Sequence, residues 1–399
     1  MRQLRFFPQA AGMFSLILFG GVLSGPELEA VESREPVYRR ERVLTAVPED
    51  GENPYLAFPA VLDLGDEVLV SFKRGGFHGG GAEAGLDLLR IDKRTDEVTW
   101  VPDLAKAAGK TMQMGEWVRY PDGTIANWID VQRPPGTERD GMQGVISTDG
   151  GQTFGSLVRF GEVDGIEFGY PFGSVVEGGT TWMIVMTFSH LAGGYSVIEK
   201  YPHAGPVAII RSDDSGESWT LVRNLTEEFG AIPINESYFV RAGDGFLVVT
   251  RGYDQAVRLH RTDAVFKVQQ QVSLTKNYDF IERYVGRPRL WKKDGRFYLI
   301  GRNWTGGTAL ADDARKAGEP RFPQAMRMCL FRVNPRSLEV ESYAVLDNTE
   351  AANVTDGYYP APYWVERDGE TYLRVVDYKG VNRRPPEIVE FEFKWAEVR

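Results

Sequence analysis

The sequence predicts an all-β chain, a six-bladed β-propeller of four-stranded antiparallel blades. Three observations carry this reading. A unit of strand, polar turn and apolar strand recurs six times beyond Glu52, with turn-to-turn spacings of 50 to 74 residues. That is room for one four-stranded blade and its loops. The octet Ser147-Thr-Asp-Gly-Gly-Gln-Thr-Phe154 returns 65 residues later as Ser212-Asp-Asp-Ser-Gly-Glu-Ser-Trp219. Ser, Asp, Gly, a hydroxyl residue and an aromatic ring keep the same offsets. Helical periodicity is nearly absent, and only residues 101–114 and 308–317 read as short helices. A two-sheet sandwich also uses short strands and turns; the paired octets favour the propeller.

At the N-terminus, Arg2 and Arg5 precede a mostly apolar run from Ala10 to Leu23, then small residues and Gly25-Pro26. This pattern predicts a signal peptide and cleavage region over residues 1–30, with cleavage near Ser24 or Ala30. The run is too short and too glycine-interrupted for a membrane span. The mature chain is therefore expected to be exported, periplasmic or extracellular. Residues 31–399 read as a single propeller domain, and a strand within residues 36–48 is expected to complete the last blade. Cys329 is the only cysteine, so no internal disulfide forms. The net charge of −10 argues against nucleic acid as a partner. None of the four histidines has a second ligand at zinc-motif spacing, so neither metal nor cofactor is expected.

The six turns are Gly65-Asp66, Asp122-Gly123, Gly178-Gly179, Asp244-Gly245, Asp294-Gly295 and Asp368-Gly369. Apolar strands follow each: Val68–Phe72, Thr124–Trp128, Trp182–Met186, Phe246–Thr250, Phe297–Ile300 and Thr371–Val376. In the octets, Asp149 and Asp214 can accept bonds from neighbouring backbone N–H groups, as Asx turns do. Gly151 and Gly216 can take backbone angles that a side chain resists. The octets shape hairpins and carry no chemistry of their own.

In a propeller, equivalent positions of successive blades converge on the centre. Reading back from the turns gives Ala57, Glu116, Tyr170, Glu236, Arg287 and Tyr359 at the starts of the first strands. Arg74, Arg251 and Arg302 fall at the far ends of the next strands. Guanidinium groups converging on one place suit a carboxylate or sulfate, which they grip with planar, bidentate geometry.

The octets resemble the Asp-box, or bacterial-neuraminidase repeat, of sialidase-like β-propellers. The segment from Asn235 to Arg251 resembles the sialidase segment in which a glutamate opens a strand and an arginine closes the next. The resemblance implies that Glu236 is the base for a tyrosine nucleophile and that Arg251 belongs to a triad gripping the substrate carboxylate. Asp356-Gly-Tyr-Tyr-Pro-Ala-Pro-Tyr-Trp364 looks like the last-blade segment, with Tyr359 as the nucleophile and Tyr358 as the alternative. Gly286-Arg-Pro-Arg-Leu-Trp291 resembles the fifth-blade strand, with Arg287 in the triad and Arg289 and Arg302 behind it. The chain departs from the family at the leading Arg-Ile-Pro tripeptide, which here reads Ala57-Phe58-Pro59. Arg74 is the expected substitute. The family's acid has no clean match: Glu83 and Asp87 lie in the region, and His78 follows Arg74 closely.

The resemblance implies an exported, retaining exo-glycosidase of sialidase type. Its substrate is an acidic glycan or oligosaccharide, with Tyr359, Glu236 and His78 as catalytic residues. Arg74, Arg251, Arg287, Arg302 and Tyr170 bind the substrate. Two alternatives stand beside it. A propeller polysaccharide lyase on uronic-acid glycans could use Arg251 with His78, His190, Tyr170 or Tyr359. A non-catalytic glycan-binding propeller would keep the fold and lack the chemistry.

Overall fold

Each of the six recurring turns joins the first and second strands of one sheet. The computed structural model describes residues 31–47, 51, 53–79, 83–305, 325–348 and 354–399. The expected signal region and the expected helix at 308–317 lie outside the described residues.

Blade I comprises Tyr55–Asp63, Glu67–Gly75, Gly85–Asp92 and Val98–Ala105. Blade II comprises Thr111–Arg119, Ile125–Arg133, Glu138–Ser147 and Val158–Arg159. Blade III is built on Ile166–Glu177, Thr180–Phe188, Ala204–Ser212 and Thr220–Asn224, and blade IV on Ile234–Ala242, Gly245–Gly252, Val257–Thr262 and Val268–Ser273. Blade V runs Gly286–Lys293, Arg296–Thr305, Ala325–Val333 and Val340–Asp347. Blade VI runs Val354–Gly357 with Ala361–Arg367, then Glu370–Val381 and Glu387–Lys394. First strands meet first strands from blade I through blade V, Ala325–Val333 of blade V meets Val354–Gly357 of blade VI, and blade VI returns to touch blade I, which closes the ring.

The closing strand comes from the N-terminal side, as expected. Arg39–Thr45 pairs antiparallel with Glu387–Lys394 as the outer strand of blade VI. A short strand, Glu32–Arg34, adds in parallel to the edge of blade V. Both edges would otherwise present unpaired backbone groups.

Residues 101–114 are not helical. Val98–Ala105 is the outer strand of blade I, pairing Leu88 with Val101 and Leu86 with Ala105. After a turn with Gly109 at φ +68°, Thr111 begins the buried inner strand of blade II. Sheet pairing and burial override the local helix propensity of the Ala-Lys-Ala-Ala stretch. Among the described residues, no helix is long and apolar enough to cross a membrane.

The two octets fold into the same knot, at the turn from third to fourth strand in blades II and III. Asp149 accepts from the N–H groups of Gln152 and Thr153 and from the Ser147 and Thr153 hydroxyls. Asp214 accepts from Ser218 N–H and from the Ser212 and Ser218 hydroxyls. These bonds, led by the Ser218 hydroxyl, pull the Asp214 carboxyl down to about 2. The following rings pack inward, Phe154 on Trp117 and Trp219 on Phe160. Gly216 has φ +92°, and a Cβ there would meet the Tyr120 ring at 2.6 Å. Gly216→Ala is therefore expected to cost about 1–3 kcal/mol of stability through strain and overpacking. A denaturant titration with an unchanged m value checks this.

Candidate active site

The inner strands are not straight ladders. Their pairing slips between Ala57 and Ala60, Met112 and Met114, Phe168 and Tyr170, Ile234 and Ser237, and Gly286 and Arg289. In blade VI the inner strand breaks between Gly357 and Ala361. Pro59, Pro288 and Pro360 occupy three of these breaks, where a residue without an N–H costs no ladder bond. Phe58, Arg287 and Tyr358 take positive φ there. Such bulges re-aim side chains that an unbroken strand would send alternately to its two faces.

Glu236 is where the re-aimed side chains meet. Its carboxylate pairs with Arg251 Nη1, accepts the Arg287 backbone N–H at 3.2 Å and accepts the Tyr170 hydroxyl at 3.3 Å. Burial alone would raise its pKa. The charges of Arg251 and Arg287, a hydrogen bond from the Tyr359 hydroxyl and the charge of Arg302 outweigh burial and hold it well below the usual range. Arg251 Nη1 also reaches the Tyr359 oxygen at 3.4 Å. Burial, then the nearby Glu236 charge, pushes the Tyr359 phenol up to about 12, so it is protonated at rest. Its backbone N–H is held by Asp377 at 2.7 Å.

Arg302 differs from the other guanidinium groups. It is 5% exposed, yet among the described residues no carboxylate pairs with it. Its Nη1 donates to Gly357 O at 3.1 Å, and its plane lies over Tyr359 and Trp304, 5.1 and 4.9 Å from the ring centres. Its Nε is buried without a partner. Gly286 makes room for it: a Cβ there would stand 2.8 Å from Nε. The Glu236, Asp356 and Asp377 carboxyls feel its charge, but none makes direct contact, and a buried cation without such contact is costly.

One layer along the channel, Glu116 binds both Arg287 and Arg289. Arg289 also donates to Phe172 O at 3.0 Å. This buried cluster stands beside a cavity of about 340 Å³ lined by Trp117, Tyr238, Trp291 and Trp364.

His78 lies at the other side of Tyr359, in the loop after the second strand of blade I. Its Nδ1 is 2.7 Å from Asp356 Oδ2 and 2.8 Å from the Tyr55 hydroxyl. Tyr55 and Tyr378 both donate to Asp356. The His78 side chain is half exposed. Phe58 links it to the nucleophile candidate, with ring centres 4.9 Å from His78 and 5.5 Å from Tyr359. Burial would raise the Asp356 carboxyl, but the bond and charge of His78, then Tyr55 and Arg302, bring it down to about 2.

Tyr359, Glu236, Arg251, Arg287, Arg302 and Tyr170 are thus brought together, with His78 beside them. Arg74 is not. It lies 3.9 Å from Asp87 and over the Trp100 ring, on the far side of its sheet. The reason is register. Lys73 faces Ala57 just before the bulge of blade I, as Arg302 faces Gly286 just before that of blade V. Lys73 is the residue equivalent to Arg302, and Arg74 points to the opposite face. Ala57, buried and not a cation, stands where the leading arginine was expected. Asp87 and Glu83 serve structure: Asp87 accepts from Trp100 and Asp103, and Glu83 from Gly109. Tyr358 turns away to Asp347, and His190 lies within reach of Arg139 O. Sequence reasoning missed Lys73, Tyr55 and the role of Asp356. A lysine in the apolar run from Val68 to Phe72 and onward was the available signal. Among the described residues, no three His, Cys, Asp or Glu gather as a metal site.

No family model and no curated protein matches the chain. Solved structures do match in fold. A protein of unknown function from Dyadobacter fermentans aligns with TM-score 0.65 at 14% identity, over 90% of this chain and 99% of that one. The NanB sialidase from Streptococcus pneumoniae aligns with TM-score 0.62 at 9% identity, over 90% of this chain and 71% of that one. The leech intramolecular trans-sialidase gives 0.54 at 11%, over 91% and 71%. The chain therefore has the six-bladed propeller fold that these sialidases share.

The carboxylates predict an acid limb of stability. The Asp356 pKa is lowered from 3.8 to about 2 on folding. Between those values the unfolded chain binds more protons, so this contribution is present above pH 4 and is lost as pH falls through about 2. Melting temperatures measured across that window should fall less steeply for Asp356→Asn than for the wild type.

Proposed function

We propose that the protein is a glycoside hydrolase of sialidase type, a retaining, exo-acting enzyme on an acidic sugar of glycans. The observation that carries this reading is the Tyr359 hydroxyl held beside Glu236 and Arg251, with the unpaired Arg302 guanidinium over its ring. Sialidases and a trans-sialidase among the fold neighbours support it, as does a Penicillium chrysogenum α-L-arabinanase for glycan chemistry in general. The basic and apolar start of the chain supports export.

The substrate carboxylate docks on Arg302 and Arg251. Competition for Arg251 weakens its grip on Glu236 and raises the basicity of that carboxylate. Tyr359 then attacks the anomeric carbon as Glu236 takes the phenolic proton, forming a tyrosyl glycoside. A neutral phenol approaches a carbon beside a carboxylate without the repulsion that a carboxylate nucleophile would meet. His78, oriented through Nδ1 by Asp356, protonates the departing oxygen. The resulting imidazole then takes a proton from the water that attacks the anomeric carbon; the bond to the Tyr359 oxygen breaks and Glu236 returns the proton to the phenolate, releasing the sugar. The arginines fix the ring for both steps.

A second reading draws on the His78–Asp356 pair beside Tyr359 and on Ala57 in place of an arginine: a lyase using the same residues on a uronic-acid polymer. Assays on aryl sialosides and on uronic-acid polymers separate the two. Release of the aryl alcohol supports the hydrolase; a new ultraviolet absorbance from an unsaturated uronate supports the lyase. For the hydrolase, Tyr359→Phe is expected to lower kcat by at least roughly a thousandfold with folding intact. Arg302→Met is expected to raise KM by roughly 10- to 100-fold, the loss of a charge-assisted grip.

A further inference from the structure

Lys73 is 1% exposed, and all three of its ammonium donors are engaged. Nζ bonds Phe77 O at 2.9 Å, His78 O at 3.2 Å and Gln113 Oε1 at 2.6 Å. It lies 5.9 Å from the ring centres of Tyr55 and Phe58. The charges that oppose its desolvation belong to Asp130 and Asp356, and burial brings its pKa down to about 8. Asp130 is itself paired with Arg139. With no donor to spare, Lys73 is not a substrate grip. Two of its three acceptors are consecutive carbonyls of the loop that carries His78.

That stretch carries glycines at 75, 76 and 79. Gln113 supplies the second hold. It stands in the bulge of blade II, accepts from Lys73, and donates through Nε2 to His78 O at 2.5 Å. The His78 backbone is therefore fixed from blades I and II while its imidazole meets Asp356 of blade VI.

We propose that Lys73 and Gln113 are positioning residues that clamp the His78 backbone and so set its imidazole against Asp356. The catalytic consequence rests on His78 as the acid of the proposed hydrolase; the clamp itself does not. Lys73→Met and Gln113→Leu test both. Leaving-group dependence is the kinetic readout, because an oligosaccharide needs its departing oxygen protonated far more than an activated aryl glycoside does. Each variant should lose at least about ten times more kcat on an acidic oligosaccharide than on the aryl glycoside, the signature also expected of His78→Ala. Imidazole nitrogen resonances are the readout free of catalysis, and four histidines keep the spectrum assignable. The His78 Nδ1 signal should shift in both variants. Unchanged imidazole signals would overturn the clamp, and equal losses on both substrates would overturn its catalytic role. Shifted signals in the variants, with a wild type that hydrolyses no acidic glycoside, would leave the clamp standing and remove the hydrolase reading. Should Lys73→Met fail to fold by circular dichroism, Gln113→Leu decides alone.

Discussion

The centre of the molecule depends on the charge of Glu236. Arg251 belongs to its own blade, the Arg287 N–H to blade V and the Tyr170 hydroxyl to blade III, and Arg251 in turn reaches the Tyr359 oxygen of blade VI. One carboxylate thus ties four blades at the axis, where each would otherwise present only its own inner strand. Because it is buried, each of these donors is worth more than in water, and loss of any one leaves a charge under-served. In the proposed reaction the same carboxylate that holds the centre together receives the phenolic proton. Stability and chemistry therefore compete for one group, and the resting Arg251 pairing favours stability.

What lets four blades reach one carboxylate is the slip in their inner strands. An unbroken strand alternates its side chains between the two faces of the blade and sends few towards the axis. Bulges with proline and positive-φ residues turn Phe58, Arg287 and the Tyr358-Tyr359 pair out of that alternation. The outer parts of the blades remain regular and carry the cores.

The ring was legible because its signals are local. Turn residues, alternating apolar strands and the two octets each occupy a few consecutive positions, and six of them count the blades. Glu236, Arg251 and Tyr359 were legible for the same reason, each sitting at a fixed distance from a turn. Arg74 was misread because the bulge between Ala57 and Ala60 shifts the facing residue by one, from Arg74 to Lys73. No spacing count sees a bulge in the partner strand. Asp356 and Tyr55 were missed because they meet only when blade VI closes on blade I, 301 positions apart in the chain. The helix read into residues 101–114 failed because its edge strand is stabilised by neighbours rather than by its own propensity.

The strand Arg39–Thr45 completes a blade whose other strands are the last to be synthesised. Blades I to V can assemble as they emerge, but the seal waits for Glu387–Lys394 to meet a strand made at the outset. Until then the early strand is an open edge and the Tyr359 side of the site is missing. Closure of the ring, and assembly of the site around Tyr359, therefore hang on one pairing between strands whose partners Arg42 and Glu390 lie 348 positions apart.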